Sequence, residues 1–248
     1  MKKNIQKTIT NSFMLLSLIV ITFSSCKKDK EEEPVVFQDE DAVEAIESSL
    51  ITQSNGITAT IETAATKLAE DSLFTSTSTP ALNCGDTYAD NFNESNSNGN
   101  YSYNYSVTRN YKLYCTPNNT PDYVEYHRTL AGVYSTPRMS SDDNAEANWV
   151  ISNLDTANAS VFFNGNYQRL GTQVSKVRNQ NTFTSTINYS LANIKVDKVT
   201  HKIVSGNASI TLVVTFAGNQ YNFSGNVTFN GNNTATLTLN GNTYSINL

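Results

Sequence analysis

The chain has 248 residues, 38% of them hydrophobic and 16% charged, with a formal net charge of −5. That length supports one sizeable core, or a core with a helical appendage. Residues 26–75 hold twelve acidic and four basic side chains while residues 76–248 hold ten of each, so there is no basic surface to neutralise phosphates and nucleic acid is excluded as a partner.

Lys2, Lys3 and Lys7 precede a run from Phe13 to Phe23 that is apolar apart from Ser17 and Thr22. Crossing a bilayer takes roughly 20 apolar residues, about twice this run, so residues 1–25 read as a secretory signal rather than a membrane span. Ser24 and Ser25 sit directly before Cys26, and this arrangement resembles the lipobox of bacterial lipoproteins, although Phe23 stands where that family more often has Leu. The resemblance implies that Cys26 is acylated, begins the mature protein and attaches it to a membrane through a lipid anchor. Loss of the three signal lysines changes the net charge to −5 − 3 = −8.

"KKDKEEEP" followed by "DED" is too polar to fold alone and makes residues 26–38 a flexible acidic tether. The tether resembles the export signals just after the lipidated cysteine in surface lipoproteins of the Bacteroidota. That likeness implies an outer-membrane, surface-exposed location.

A helical segment is expected over residues 39–75. Val43, Ile46 and Leu50, then Ile57, Ile61, Ala64, Ala65 and Leu68 recur at helical spacing, predicting helices over about 40–54 and 57–71. Asp39, Glu40 and Asp41 suit a first turn, and "SNG" at 54–56 reads as a helix end with Gly56 near the left-handed position. One kinked helix is the alternative.

Residues 76–248 read as an antiparallel β domain. Tyr101, Tyr103, Tyr105, Val107, Tyr111 and Leu113 alternate with mostly polar residues, the period-2 signature of a half-buried strand. Further strands are expected at about 123–134, 146–152, 160–170, 181–196 and 203–217. The end of the chain is a meander, with apolar residues alternating on either side of "NGNN" at 230–233 and "NGN" at 240–242, which are hairpin-turn sequences. The fold class is therefore α+β, mainly antiparallel β, with the N-terminal helices packed on a meander that forms a curved open sheet or barrel; a two-layer sandwich is the alternative. With Cys26 given over to lipid, Cys84 and Cys115 remain as a pair for a disulfide in an oxidising compartment, two buried free thiols being the alternative.

Candidate chemistry is sparse. Asp142, Asp143 and Glu146 in "MSSDDNAEANW" would suit a calcium site or a carboxylate pair, but read more simply as a solvated loop before a strand anchored by Trp149. Tyr101, Tyr103, Tyr105 and Trp149 are candidate ligand contacts, since aromatic rings stack on sugars, although such residues more often fill cores. His127 and His201 lie far from each other and from any nucleophile motif, so no catalytic residue, metal site or cofactor is assigned. "DSL" at 71–73 and "DTA" at 155–157 resemble the O-glycosylation acceptor of exported Bacteroidota proteins, which would place glycans on Ser72 and Thr156. Asn-x-Ser/Thr triplets read as a by-product of Asn- and Thr-rich strands. The expectation is a non-enzymatic surface lipoprotein with a glycan, lipid or surface-protein partner. A carrier of an apolar ligand in a β cavity and a glycan-directed hydrolase are the alternatives.

Overall fold

A computed structural model describes residues 36–74 and 82–248; Cys26 and most of the expected tether lie outside them. The tether ends earlier than residue 38, because Phe37 is already buried against Phe183, Phe216, Tyr221 and Phe223, with its ring centroid 4.9 Å from that of Phe183.

Two helices follow, α1 (Asp39–Leu50) and α2 (Ile57–Glu70), joined by a 3-10 turn at Thr52–Ser54. In the first turn of α1 the Asp41 carboxylate accepts the Gln38 N–H at 3.1 Å, and three acidic residues there complement the helix dipole. The chain turns because Ile51 is extended and Asn55 is left-handed (φ 53°). Gly56, expected in that role, instead precedes α2 at φ −73°.

Among the described residues, 82–248 form one ten-stranded antiparallel sheet in sequential order, which answers the sandwich alternative. Its strands are β1 (Thr87–Ser97), β2 (Ser102–Cys115), β3 (Pro121–Ser135), β4 (Met139–Ser152), β5 (Ser160–Ser175), β6 (Thr182–Asp197), β7 (Ile203–Phe216), β8 (Asn219–Gly231), β9 (Thr234–Leu239) and β10 (Asn242–Asn247). The sheet is curved and open. Its concave face wraps the helices, and the core lies between them: Ile46, Leu50, Ile57, Ile61 and Leu68 are fully buried against inward residues of the strands. Burial of each such side chain is worth roughly 1.5–3 kcal/mol, which fixes the register, since a one-residue slip would turn every apolar residue outward.

Tight turns carry the meander. Asn232 and Asn233 (φ 52° and 57°) and Asn240 and Gly241 (φ 50° and 84°) have the paired positive φ of type I′ hairpins. A bulge in β6 sets Ala192 and Asn193 (φ 53°) against Asn164 of β5; the adjoining Gly165 has φ +130°, and an added Cβ there would meet the Asn148 carbonyl at 2.2 Å. The Cys84–Cys115 disulfide is formed and ties the approach to edge strand β1 to the end of β2.

Two strands depart from expectation. Met139–Ala145, read as part of a polar loop, is the first half of β4, because the inward phase carries Ser141 and Asp143 in place of apolar residues. Strand β1 was not anticipated. Its inward phase holds Tyr88, Asp90, Phe92 and Glu94, so charge masks the alternation.

Candidate functional site

Asp142 and Asp143 are neighbours on a strand and so face opposite sides of the sheet: Asp142 is exposed and Asp143 is 1% exposed. They cannot converge as a carboxylate pair or share a cation. Among the described residues no cluster of three or more His, Cys, Asp or Glu is placed to hold a metal ion.

Asp143 belongs to a buried network under the helix connection. The register runs Tyr105, Gly132, Asp143, Gly171, Ser185 across β2 to β6. Gly132 has no side chain, and an added Cβ would lie 2.1 Å from the Asn104 carbonyl, so the Tyr105 hydroxyl reaches across it to donate to Asp143 Oδ1 at 2.9 Å. Arg169 Nε donates to the other carboxylate oxygen at 2.8 Å, and its Nη2 donates to the Ser54 carbonyl at 3.0 Å. Burial pushes the Tyr105 phenol far above its ordinary range, and it stays protonated. Arg128 pairs with Glu94, which also accepts from Asn55 Nδ2 at 2.7 Å. These pairs fasten the turn between α1 and α2 to the concave face.

Of the aromatic candidates, Tyr105 and Trp149 are 0% and 3% exposed and cannot stack on a ligand from solvent; Trp149 lies parallel to Tyr126 at 5.6 Å within the core. Tyr103 is half-buried. Tyr101 lines a cleft of ≈410 Å³ at one end of the sheet, with Glu47, Ile51, Gln53, Arg138 and Asn247. His127 is on the convex face, 2.7 Å from Asn148 Oδ1, whereas His201 contacts Thr66 of α2 at 3.2 Å. Thr156 is exposed in a turn where Asp155 Oδ1 accepts the Ala157 N–H. Ser72 is half-buried at φ 61° beside an Asp71 engaged by Lys67 at 2.6 Å.

The convex face holds what sequence reading missed. In a strand, residues i and i+2 share a face, so the triplets Asn93-Glu94-Ser95, Asn188-Tyr189-Ser190, Asn207-Ala208-Ser209 and Asn226-Val227-Thr228 each place an amide beside a hydroxyl on the solvent side. Register then aligns them across strands. One row passes through Asn91, Thr108, Thr129, Glu146, Gln168, Asn188, Thr211 and Ser224. The next passes through Asn110, His127, Asn148, Asn166, Ser190, Ser209, Asn226 and Thr238. Neighbours within the lattice are bonded: Thr108 donates to Asn91 at 2.7 Å, Gln168 to Asn188 at 2.7 Å, and Asn148 to Glu146 at 2.8 Å.

Three grooves of ≈700, 380 and 550 Å³ overlie these rows. The first two share Glu146 and Gln168, and the second and third share Asn148, so they adjoin along the rows and together outline the convex-face depression. Among the described residues Glu146 is the one charged side chain lining the first two.

Fold and surface together define an α+β protein: a curved open sheet that encloses a helical pair and turns a hydrogen-bonding face, rich in amides and hydroxyls, to solvent. No protein-family model matches the chain, and comparison with curated proteins and with solved structures likewise found no match.

Proposed function

We propose that this chain is a lipid-anchored protein of the outer-membrane surface that binds its target without converting it. The binding half rests on the two polar rows of the convex face. Apart from Glu146 and His127 the rows are amides and hydroxyls, which offer directed hydrogen bonds and are poor at moving protons. The address rests on the lipobox-like "FSSC" and the acidic segment that follows it.

In the native host, Cys26→Ser should leave the membrane fraction and lose incorporation of a clickable palmitate analogue, while wild type is labelled and is degraded when intact cells meet added protease. A labelled protein resistant to protease on intact cells would put it on the inner side of the membrane. An unlabelled wild type would remove the anchor.

A second reading, a carrier of an apolar ligand, has one observation in its favour. Arg128 Nε and Nη1, Trp149 Nε1 and the hydroxyls of Tyr126 and Tyr167 are buried without a hydrogen-bond partner among the described residues, and by register they surround Ala147 on the concave face. Buried donors ordinarily have partners, and the head of a bound amphiphile would supply them. Native mass spectrometry of protein purified gently from its host separates the readings: a mass excess that leaves on denaturation supports the carrier, and the bare polypeptide mass with one disulfide removes it.

A further inference from the structure

We propose that the convex-face depression binds a neutral polysaccharide chain laid across the strands; this deepens the binding reading above and rests on it. Three observations converge on that ligand class.

The first is charge. Gln168, Asn188, Thr211 and their neighbours line the first two grooves with Glu146 as the one charged group among the described residues, and its Oε1 accepts from Asn148 Nδ2. In those two grooves an anionic polymer finds no cation among the described residues, and a cationic one finds a single carboxylate; Lys112 and Glu125, which line the third groove, are cross-strand partners of opposite charge.

The second is chemistry. A sugar hydroxyl donates and accepts at once, and the partner that satisfies it is a side chain that does the same. Amide and hydroxyl side chains do so, and the bonds within the lattice hold them in place while leaving further donor and acceptor capacity outward. Gln168 Nε2 engages Asn188 Oδ1, and Asn188 Nδ2 in turn engages Thr211 Oγ1 at 3.5 Å; each amide is oriented by its neighbour before a ligand arrives, which lowers the ordering cost of binding.

The third is length and repeat. Adjacent strands lie ~4.8 Å apart, so a row crossing eight of them spans about 34 Å with one polar side chain per step. That step is close to the length of one pyranose unit in an extended glycan, so successive sugars meet equivalent groups. Near the third groove, Tyr114 and Tyr123 stack on the same face with centroids 4.6 Å apart, a ring surface for the apolar side of a sugar.

The test uses the disulfide-intact protein and purified hexasaccharides. The panel holds neutral gluco-, manno- and xylo-oligosaccharides and an acidic oligogalacturonate, read by calorimetry and by amide hydrogen exchange. The expected result is binding of at least one neutral series, unchanged between about 0.05 and 0.5 M salt because no ion pair is screened, with added protection on β4 to β7. Gln168→Ala with Asn188→Ala should weaken it about tenfold, the effect of losing two ordinary hydrogen bonds, and Gln220→Ala, exposed on β8 outside both rows and all three grooves, should leave it within twofold. Both variants alter solvent-facing side chains, and an unchanged thermal melt confirms that they fold.

Neutral-sugar binding whose footprint falls on the end cleft, and which Tyr101→Ala abolishes while the double variant does not, would overturn the convex-face site and leave the binding reading standing. Binding of oligogalacturonate alone, with salt dependence, would overturn the ligand class. No binding by any neutral member would overturn the proposal outright.

Discussion

Asp143 and Arg169 are both almost wholly inaccessible, and each is the other's principal compensation for lost hydration. Breaking such a pair from one side strands a charge in the interior, so Asp143→Ala should cost about 3–5 kcal/mol in urea denaturation, whereas replacing both members with apolar residues of similar volume should cost much less. A cost near 1 kcal/mol for Asp143→Ala would mean the network is hydrated. Glu47 supplies the pH-dependent case. Burial pushes its carboxyl up, Glu44 adds to the rise and the Arg138 guanidinium opposes it. The unfolded chain therefore releases this proton at lower pH than the fold does, the fold binds more protons between the two values, and Glu47's contribution to stability is lost as pH rises through that window. Glu47→Gln should melt higher than wild type at neutral pH and converge with it below the carboxylate range. Coincident melts at all pH values would show that the carboxyl is solvated. Neither role was legible in the sequence: "SSDDNA" looks like a solvated loop until the strand phase assigns its alternate residues inward, and nothing local marks position 143 as facing Arg169, 26 residues away.

At the scale of elements, the hairpins at 230–233 and 240–242 and the helical stripes could be read directly, because turn chemistry and apolar periodicity are local. Strand β1 could not, since its inward carboxylates Asp90 and Glu94 are explained by partners elsewhere in the chain, Arg109 on β2 for the first and Arg128 on β3 with Asn55 for the second. The polar rows escaped for the same reason: the Asn-x-Ser/Thr triplets were visible, but their alignment depends on register between strands. Two predictions belong here. Gly165→Ala should destabilise by about 1–3 kcal/mol, from both the positive φ and the close Asn148 carbonyl; a neutral effect would mean the backbone at Gly165 relaxes freely. Reducing Cys84–Cys115, whose residues are 31 apart, should cost roughly 3–4 kcal/mol in the chain-entropy account. Hydrogen exchange should then rise first in β1, which pairs on one side alone, and a uniform rise over all strands would contradict that edge-first order.

The whole molecule poses one question that its parts do not, whether the helical pair is core or plug. Apolar burial argues for core: Ile46, Leu50, Ile57, Ile61 and Leu68 are inaccessible, and the concave face without them would expose an apolar surface far larger than a soluble monomer tolerates. The polar contacts point the same way. Ser54 and Asn55 are held by Arg169 and Glu94, Glu44 by Arg178 and Ser175, and Glu62 by Lys202, so the pair is bonded to the sheet at its start, middle and end. A plug that opens to admit a ligand would have to break all of these together. Native-state hydrogen exchange should accordingly show α1 and α2 opening with the same free energy as the central strands β4 to β6, in one cooperative unit. If instead the helices exchange as a group several kcal/mol below those strands, the sheet has a separable cover, and the unpartnered donors around Ala147 become the floor of a cavity that the cover controls. The convex-face site does not depend on that outcome, because its rows are set by strand register alone, and this independence allows the surface-binding and carrier readings to be tested separately on one protein.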